Sequence, residues 1–273
     1  MLRDITLGQF FPGNSILHKI DPRVKIIISI AYIVSVFLAK VASAYILLVA
    51  VTAALVIISR IKVKTVLRGV KPLIFIIIFT AIINIFFTTG ETLLFEWKFI
   101  HVYLEGLVNA AFMAVRIISL LIGTSVILTY TTSPIALTDA IERLLSPLRL
   151  IKVPVHEFAM MMTIALRFIP TLIEETDKIM NAQKARGADF STGKLTDRAK
   201  ALIPVLIPLF ISAFRRADEL AVAMECRCYR GGKGRTRMTK LHLHFYDFLT
   251  LVFVAAFIAG IVLIGRFYPI YAI

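Results

Sequence analysis

The sequence predicts an all-α fold: a polytopic membrane helix bundle with about five transmembrane helices, joined to a cytoplasmic platform of long amphipathic helices. Three observations lead to this prediction. Of the 273 residues, 59% are hydrophobic and only 18% are charged, whereas soluble domains usually have roughly 45–50% and 25%. The apolar residues are concentrated in long runs, and a transmembrane helix needs about 20 of them. No run alternates polar with apolar residues, which favours helices over barrel strands.

The chain is also strongly basic, with 31 Lys+Arg against 17 Asp+Glu and a formal net charge of +14. Its hydrophobicity excludes an intrinsically disordered protein. Long apolar runs separate the basic residues, which disfavours a nucleic-acid partner and leaves the lipid bilayer as the expected surroundings.

Five runs are predicted to span the membrane. Two of them are short and joined by a tight hairpin, and another contains Arg116. The runs are Val24–Ala39, Tyr45–Ser59, Pro72–Thr88, Gly106–Thr129 and Tyr246–Gly265. The predicted domains are a membrane domain of four spans (1–129), a cytoplasmic domain (130–245) and a C-terminal transmembrane helix (246–273).

The charges of the loops predict the orientation. Arg60–Lys71 contains five basic residues and no acid, whereas Thr89–Glu105 contains three acids and one lysine. Basic loops stay in the cytoplasm. We therefore expect the N-terminus and the segment 130–245 to be cytoplasmic.

The segment 130–245 is predicted to form amphipathic helices. Ser133-Pro134 has the residues of a helix start, and Ser146-Pro147 should interrupt that helix. A second helix is expected over Val155–Arg186, interrupted or kinked at Pro170.

A third helix is expected over Ala199–Tyr229. Its apolar part, Ala201–Phe214, is short and contains Pro204 and Pro208. It is too broken for an ordinary span, so a re-entrant or membrane-surface segment stays open.

Both long helices are predicted to end by presenting an arginine, Arg186 on the second and Arg227 on the third. Gly187 is a typical helix stop. A guanidinium on a rigid helix end can bind a carboxylate bidentately. The alternative is that each arginine only complements the helix dipole.

Two further motifs predict no bound group. Cys226 and Cys228 with His242 and His244 could supply four metal ligands, but the spacing fits no common zinc module and the neighbouring arginines would repel a cation. Gly231–Gly234 resembles part of a phosphate-binding loop but lacks its Ser/Thr and its preceding strand. Energy for any transport would therefore come from a partner or an ion gradient.

Three stretches carry a resemblance to a known family. They are Leu17–Lys25 with its Asp21-Pro22-Arg23 motif, Arg167–Gly187, and Glu219–Tyr229. The chain resembles the transmembrane T component of energy-coupling factor (ECF) transporters over nearly its whole length. The family's two Ala-Arg-Gly signatures correspond to Ala185-Arg186-Gly187, which is intact, and Cys226-Arg227-Cys228, which keeps only the arginine. Whether the third helix ends there or continues to Gly231 stays open.

The resemblance implies a non-catalytic subunit of a prokaryotic cell membrane. Its implied partners are two cytoplasmic ABC ATPases and one membrane S component, which delivers a vitamin or metal ion. Each signature arginine would insert into one ATPase, and ATP and Mg²⁺ would be bound by the ATPases, with no cofactor in this chain. The apolar faces of the cytoplasmic helices, with the adaptable run Met160-Met161-Met162, would contact the S component.

Two rival functions are weaker. A stand-alone secondary transporter or channel should have ionisable residues inside its spans, where only Arg116 lies well inside. A membrane enzyme should have clustered acids and histidines, and the pair His156-Glu157 lacks a third partner.

Overall fold

The computed structural model describes residues 10–90, 92–97, 100–190, 194–231 and 243–267. The chain divides into two compact units. The membrane unit comprises residues 8–140 and 241–273, and the helix-pair unit comprises residues 1–7 and 141–240. Each is described by itself, and the domain boundaries drawn from the sequence stay predictions.

Helices make up most of both units. The helices that begin in the membrane unit are α1 (Ile16–Lys19), α2 (Pro22–Leu38), α3 (Ala42–Ser59), α4 (Val63–Val70), α5 (Ile74–Phe87), α6 (Leu104–Thr124), α7 (Pro134–Leu144) and α10 (Phe245–Phe267). Those of the helix-pair unit are α8 (Val155–Ala185) and α9 (Leu195–Cys226). A 3₁₀ turn joins α4 to α5, and the π-helical turn Ser125–Thr129 extends α6.

Each predicted span is a helix, which confirms the all-α polytopic fold class. Four of the five spans lie in helices that are long and apolar enough to cross a membrane: α3, α4–α5, α6 with its π turn, and α10. The fifth, α2, has 17 residues, which is the short end of the range for a span. By length and composition α8 also qualifies, with the lowest mean hydropathy of the set. The sequence had predicted it to be amphipathic.

The core of the membrane unit lies where α2, α3, α6 and α10 pack together. Val36 and Leu48 are fully buried there. The ring of Tyr32 lies against Gly123, where a Cβ would be 2.3 Å from the ring. The Tyr32 hydroxyl donates to the Ser119 carbonyl at 2.9 Å. A small residue thus lets α2 and α6 approach closely, as is typical of helix packing in membranes.

The predicted loop Thr89–Glu105 contains secondary structure that the sequence analysis missed. Strands β1 (Leu93–Trp97) and β2 (Ile100–Tyr103) pair as an antiparallel hairpin. The loop is rich in aromatic and β-branched residues, which favour strands, but each strand is too short to be noticed in a search for membrane spans. The sequence analysis used this segment only as a charged connection between spans and predicted no strands in it.

The Asp21-Pro22-Arg23 motif begins α2. Asp21 is the N-cap and accepts from the Arg23 backbone N–H at 2.9 Å, Pro22 is the first helical residue, and the Arg23 guanidinium pairs with the Asp21 carboxylate at 2.7 Å. The buried Lys25 ammonium donates to the Thr131 carbonyl at 2.8 Å. The motif therefore starts α2, and Lys25 ties that start to the chain that follows α6.

Asp247 connects the same motif to α10. The Asp21 backbone N–H donates to Asp247 Oδ1 at 2.8 Å, and the His244 backbone N–H donates to Oδ2 at 2.7 Å. Asp247 is only 2% exposed. One carboxyl group thus satisfies two backbone donors from parts of the chain that are distant in sequence.

In the helix-pair unit, α8 and α9 pack side by side and antiparallel. The Gln183 side chain donates to the Pro204 carbonyl at 3.5 Å. Glu175, which precedes Gln183 on α8, accepts from the hydroxyl of Ser212, which follows Pro204 on α9. Glu175 also pairs with Arg216 at 2.8 Å. As the residue number rises on one helix it falls on the other, so the two helices run in opposite directions.

The prolines do not break these helices. Pro170 lies inside α8, and Pro204 and Pro208 lie inside α9. Of the two alternatives predicted at Pro170, the interruption does not occur, and the kink stays a prediction. Ala201–Phe214 belongs to one continuous helix, so it contains no re-entrant turn.

The helix starting at Ser133-Pro134 is confirmed as α7. The Ser133 hydroxyl accepts from the Ala136 backbone N–H at 3.2 Å, as expected of an N-cap. The helix ends at Leu144 and a 3₁₀ segment, Ser146–Ile151, follows it, as the Ser146-Pro147 pair predicts.

Candidate functional site

The end of α8 presents the first signature. Ala185 is the last helical residue and Arg186 is the C-cap. The Gly187 N–H donates to the Lys184 carbonyl at 3.0 Å and the Ala188 N–H to the Gln183 carbonyl at 3.0 Å. Gly187 has φ +88°, a conformation that glycine adopts at little cost. These paired bonds are a Schellman motif, a common way to end a helix.

The end of α9 repeats this geometry around the altered signature. Cys226 is the last helical residue and Arg227 is the C-cap. The Cys228 N–H donates to the Glu225 carbonyl at 2.8 Å and the Tyr229 N–H to the Met224 carbonyl at 3.0 Å. Cys228 has φ 56°, so a cysteine takes the left-handed position that glycine holds in α8. The helix therefore ends at Cys226 and does not continue to Gly231.

Arg186 and Arg227 thus occupy equivalent positions. Both side chains are exposed, and neither has a hydrogen bond or ion pair within the described part of the chain. A cation at a helix C-terminus interacts favourably with the dipole, and here a turn also fixes the backbone that carries each exposed side chain. Each can therefore offer its planar fork of donors to a carboxylate or a carbonyl of another protein.

The two arginines lie toward opposite ends of the helix pair. Continuing the antiparallel register of the Gln183–Pro204 contact places Arg186 level with Ala201. From there to Arg227 the chain follows α9, and at 1.5 Å per residue the separation along that helix is about 40 Å. This distance is large enough for each arginine to meet a different subunit.

Exposed apolar side chains lie on both helices of the pair. Met161 and Met162 of α8 are 58% and 41% exposed, and Met160 is half-buried. The exposed apolar side chains in the first half of α9 are Leu202, Ile203, Leu206, Ile207, Phe210, Ile211 and Phe214. Exposed apolar patches of this kind mark a membrane or protein contact.

A buried acid joins His156 in a cluster that the sequence analysis missed. His156 Nδ1 lies 2.9 Å from Glu142 Oε1, which also accepts from Arg149 at 3.1 Å. Glu142 and His156 are far apart in the sequence and on different helices, so no spacing could have revealed the pair. The cluster connects α7, the 3₁₀ segment and α8, which is a structural role.

Arg116 is engaged by its own unit. Its Nη2 donates to the Ala39 carbonyl at 3.0 Å, and its guanidinium lies 5.6 Å from the centre of the Tyr45 ring. The charge thus helps to hold the turn between α2 and α3.

The four candidate metal ligands lie partly outside the described residues, because His242 is not among them. Cys226 and Cys228 are exposed free thiols. Among the residues that the structure does describe, no group of three or more His, Cys, Asp or Glu is arranged to hold a metal ion. The Gly232–Gly234 part of the resemblance to a phosphate-binding loop also lies outside them.

The strained conformation of Cys228 leads to a stability prediction. Cys228→Gly should raise the free energy of unfolding by about 0.5–1 kcal/mol, because glycine adopts the left-handed conformation without the Cβ clash. Thermal unfolding of the purified protein in detergent measures the change. The matched control is Cys226→Gly in the last helical position, where the loss of helix propensity should lower stability by a similar amount. Equal shifts in the same direction would contradict the assigned cap.

Comparisons with known proteins agree with this architecture. A family model described as "Cobalt transport protein" matches residues 13–239. The chain is 57% identical to the "Energy-coupling factor transporter transmembrane protein EcfT" of Ruminiclostridium cellulolyticum, over 96% of this chain and 98% of that protein. It is 58% identical to the protein of the same name from Clostridium kluyveri, over 91% and 92% of the two chains. The protein of that name from Thermosediminibacter oceani is 52% identical over 97% of each chain. The chain therefore belongs to the family of energy-coupling factor transporter transmembrane components, as its sequence motifs predicted.

Proposed function

We propose that this chain is the membrane scaffold of an ECF-type ABC importer, docking two cytoplasmic ATPases and one membrane S component. ATP would be hydrolysed by the ATPases, and the helix-pair unit would transmit their movement to the S component, which carries a vitamin or metal ion inward. The chain itself would be non-catalytic, with ATP and Mg²⁺ held by its partners.

The observation that carries the docking proposal is the repeated helix end. Arg186 and Arg227 stand at equivalent C-caps, exposed, at opposite ends of an antiparallel pair. The second cap keeps this geometry even though cysteines replace the small residues of the signature. An arginine that served only the helix dipole could equally be paired within the chain, so two exposed arginines without partners among the described residues favour docking.

The apolar surface of the helix-pair unit supports the S-component contact. Met161 and Met162 are exposed on α8, and unbranched methionines repack easily against different partners. Further apolar residues, which include Phe210 and Phe214, are exposed on the first half of α9. We assign this surface to a membrane-embedded partner, since its side chains would be costly to leave in water.

The proposed orientation places the N-terminus and the helix-pair unit in the cytoplasm of a prokaryotic cell. Five exposed cations between α3 and α5 support it, because basic loops stay inside. They are Arg60, Lys62, Lys64, Arg68 and Lys71.

Cysteine labelling of intact cells tests this orientation. In a background with Cys226→Ser and Cys228→Ser, a cysteine at exposed Thr89 should react with an impermeant maleimide, and one at exposed Asp189 should react only after the cells are opened. The basic loop between α3 and α5 is the physical reason. Labelling at Asp189 and protection at Thr89 would reverse the assignment.

The stand-alone transporter is a weaker candidate. Its best ionisable group within a span was Arg116, which is occupied with the Ala39 carbonyl and the Tyr45 ring. A membrane enzyme is weaker still, because the relatives are named as transporter components.

Affinity purification tests the proposed assembly. The tagged chain, extracted in mild detergent from its source cells, should bring down two ABC ATPase subunits for each copy and a small membrane protein. Recovery of the chain alone, with transport activity after reconstitution, would support the stand-alone transporter and contradict the proposal.

A further inference from the structure

Helix α4 presents a basic stripe that no contact within the described residues of the chain uses. Lys64 and Arg68 are exposed at an i, i+4 spacing, and Lys71 follows at i+3, so the three side chains share one face. Within the part of the chain that the structure describes, none of them has an ion pair or hydrogen bond, and no acid lies on α4 itself. The charge of this stripe is therefore available to a partner.

The opposite face of α4 fixes the direction of this stripe. Val66 and Val70 are buried. Gly69 lies so close to Tyr130, the residue that follows the π turn, that a Cβ there would be 2.6 Å from the Tyr130 hydroxyl. With valine and glycine packed on one side, the helical period directs Lys64, Arg68 and Lys71 away from the protein.

Two exposed apolar side chains border the stripe. Val63 and Leu67 are 59% and 58% exposed and lie one turn apart, next to the basic residues. A helix with adjoining apolar and basic strips is suited to the boundary between lipid chains and headgroups, where its apolar residues enter the lipid and its cations reach the phosphates.

The connections of α4 hold it at that boundary. It follows the end of α3 at Ser59 and continues through one 3₁₀ turn into α5. Both α3 and the α4–α5 segment qualify as membrane spans. Since α4 carries the charges at the start of the candidate span Val63–Phe87, and the apolar residues of that span follow in α5, we expect α4 to lie at the headgroups of one leaflet.

We propose that α4 is an interfacial helix that binds the headgroups of anionic phospholipids through Lys64, Arg68 and Lys71, with Val63 and Leu67 inserted beside them. Arg60 and Lys62, exposed just before α4, add to the attraction. Basic segments next to a span are drawn to anionic leaflets. The positive charge that sets the topology would thus also select the lipid around the protein.

A fluorescent reporter at α4 tests the proposal. Trp97 is the chain's single tryptophan, so Leu67→Trp in a Trp97→Phe background reports on this helix alone. The protein is reconstituted in phosphatidylcholine vesicles that contain brominated phosphatidylglycerol or brominated phosphatidylcholine at equal mole fractions. The quenching should show that phosphatidylglycerol is enriched around α4 about tenfold over phosphatidylcholine at low salt. This enrichment should fall at high salt. Equal quenching by the two lipids would overturn the proposal.

Three variants locate the preference. Changing Lys64, Arg68 and Lys71 together to glutamine should abolish the preference for phosphatidylglycerol. The charge-conserving triple variant, Lys64→Arg, Arg68→Lys and Lys71→Arg, should retain it. The matched control removes the same charge from exposed positions of the helix-pair unit, Lys178→Gln, Arg198→Gln and Lys200→Gln, and should leave it unchanged.

Retention of the preference without the stripe, or an equal loss in the control, would overturn the assignment. If the reporter fluorescence does not respond to phosphatidylglycerol but changes when partner subunits are added, the basic stripe binds a protein. That result would also overturn the lipid proposal.

Discussion

Replacing both Arg186 and Arg227 with glutamate is expected to abolish recovery of the ATPase subunits with the tagged chain. Both side chains are exposed at helix C-caps, so the change should leave folding and insertion intact. Reversing a charge opposite a carboxylate costs about 3 kcal/mol or more at each contact, which corresponds to a loss of more than about 100-fold in affinity per site. Either single variant should keep partial recovery through the other arginine.

Two controls accompany this test. Lys178→Glu with Lys200→Glu makes the same change of net charge at exposed residues of α8 and α9, and should keep both ATPases. Arg186→Lys with Arg227→Lys keeps the charge but loses the planar fork, so recovery should fall between the two. Full recovery of the ATPases with the double glutamate variant would show that the arginines do not dock them.

Asp247→Ala is expected to cause a large loss of stability in the membrane unit. The buried carboxyl accepts from the backbone N–H groups of Asp21 and His244. Alanine would leave both donors without that acceptor, which costs about 2–5 kcal/mol in total. Thermal unfolding in detergent should show the midpoint lowered by roughly 5–15 °C.

Asp218→Ala, at an exposed position of α9, is the control and should shift the midpoint little. Asp247→Asn should lie between, because its amide keeps one acceptor oxygen and turns a donor toward the second N–H. An unchanged midpoint for Asp247→Ala would show that this contact does not connect α2 to α10.

Local signals made much of the fold predictable from the sequence. The spans follow from the apolar runs, and the start of α7 follows from Ser133-Pro134 because an N-cap acts on its own neighbours. Gly187 predicted the end of α8 for the same reason. The end of α9 could not be settled, since cysteine is an uncommon left-handed residue, and only the bonds of Cys228 and Tyr229 revealed it.

Contacts between distant residues explain what was missed. Nothing in the sequence connects Asp247 with Asp21, because these two residues meet only through folding. Glu142 and His156 meet in the same way. The prolines of α8 and α9 misled for a different reason: the packing of two long helices outweighs the local cost of a proline, which is about 3 kcal/mol.

The roles of the signature residues stay predictions, and photo-crosslinking tests them most directly. Ala185 and Cys226, both exposed, immediately precede the two arginines, so a photoreactive residue at either position leaves the guanidinium in place. Both positions should yield adducts with an ATPase subunit, while exposed Glu174, about three turns from Arg186, should not. ATPase adducts at Glu174 but at neither signature would contradict the claim that the two helix ends are the docking sites.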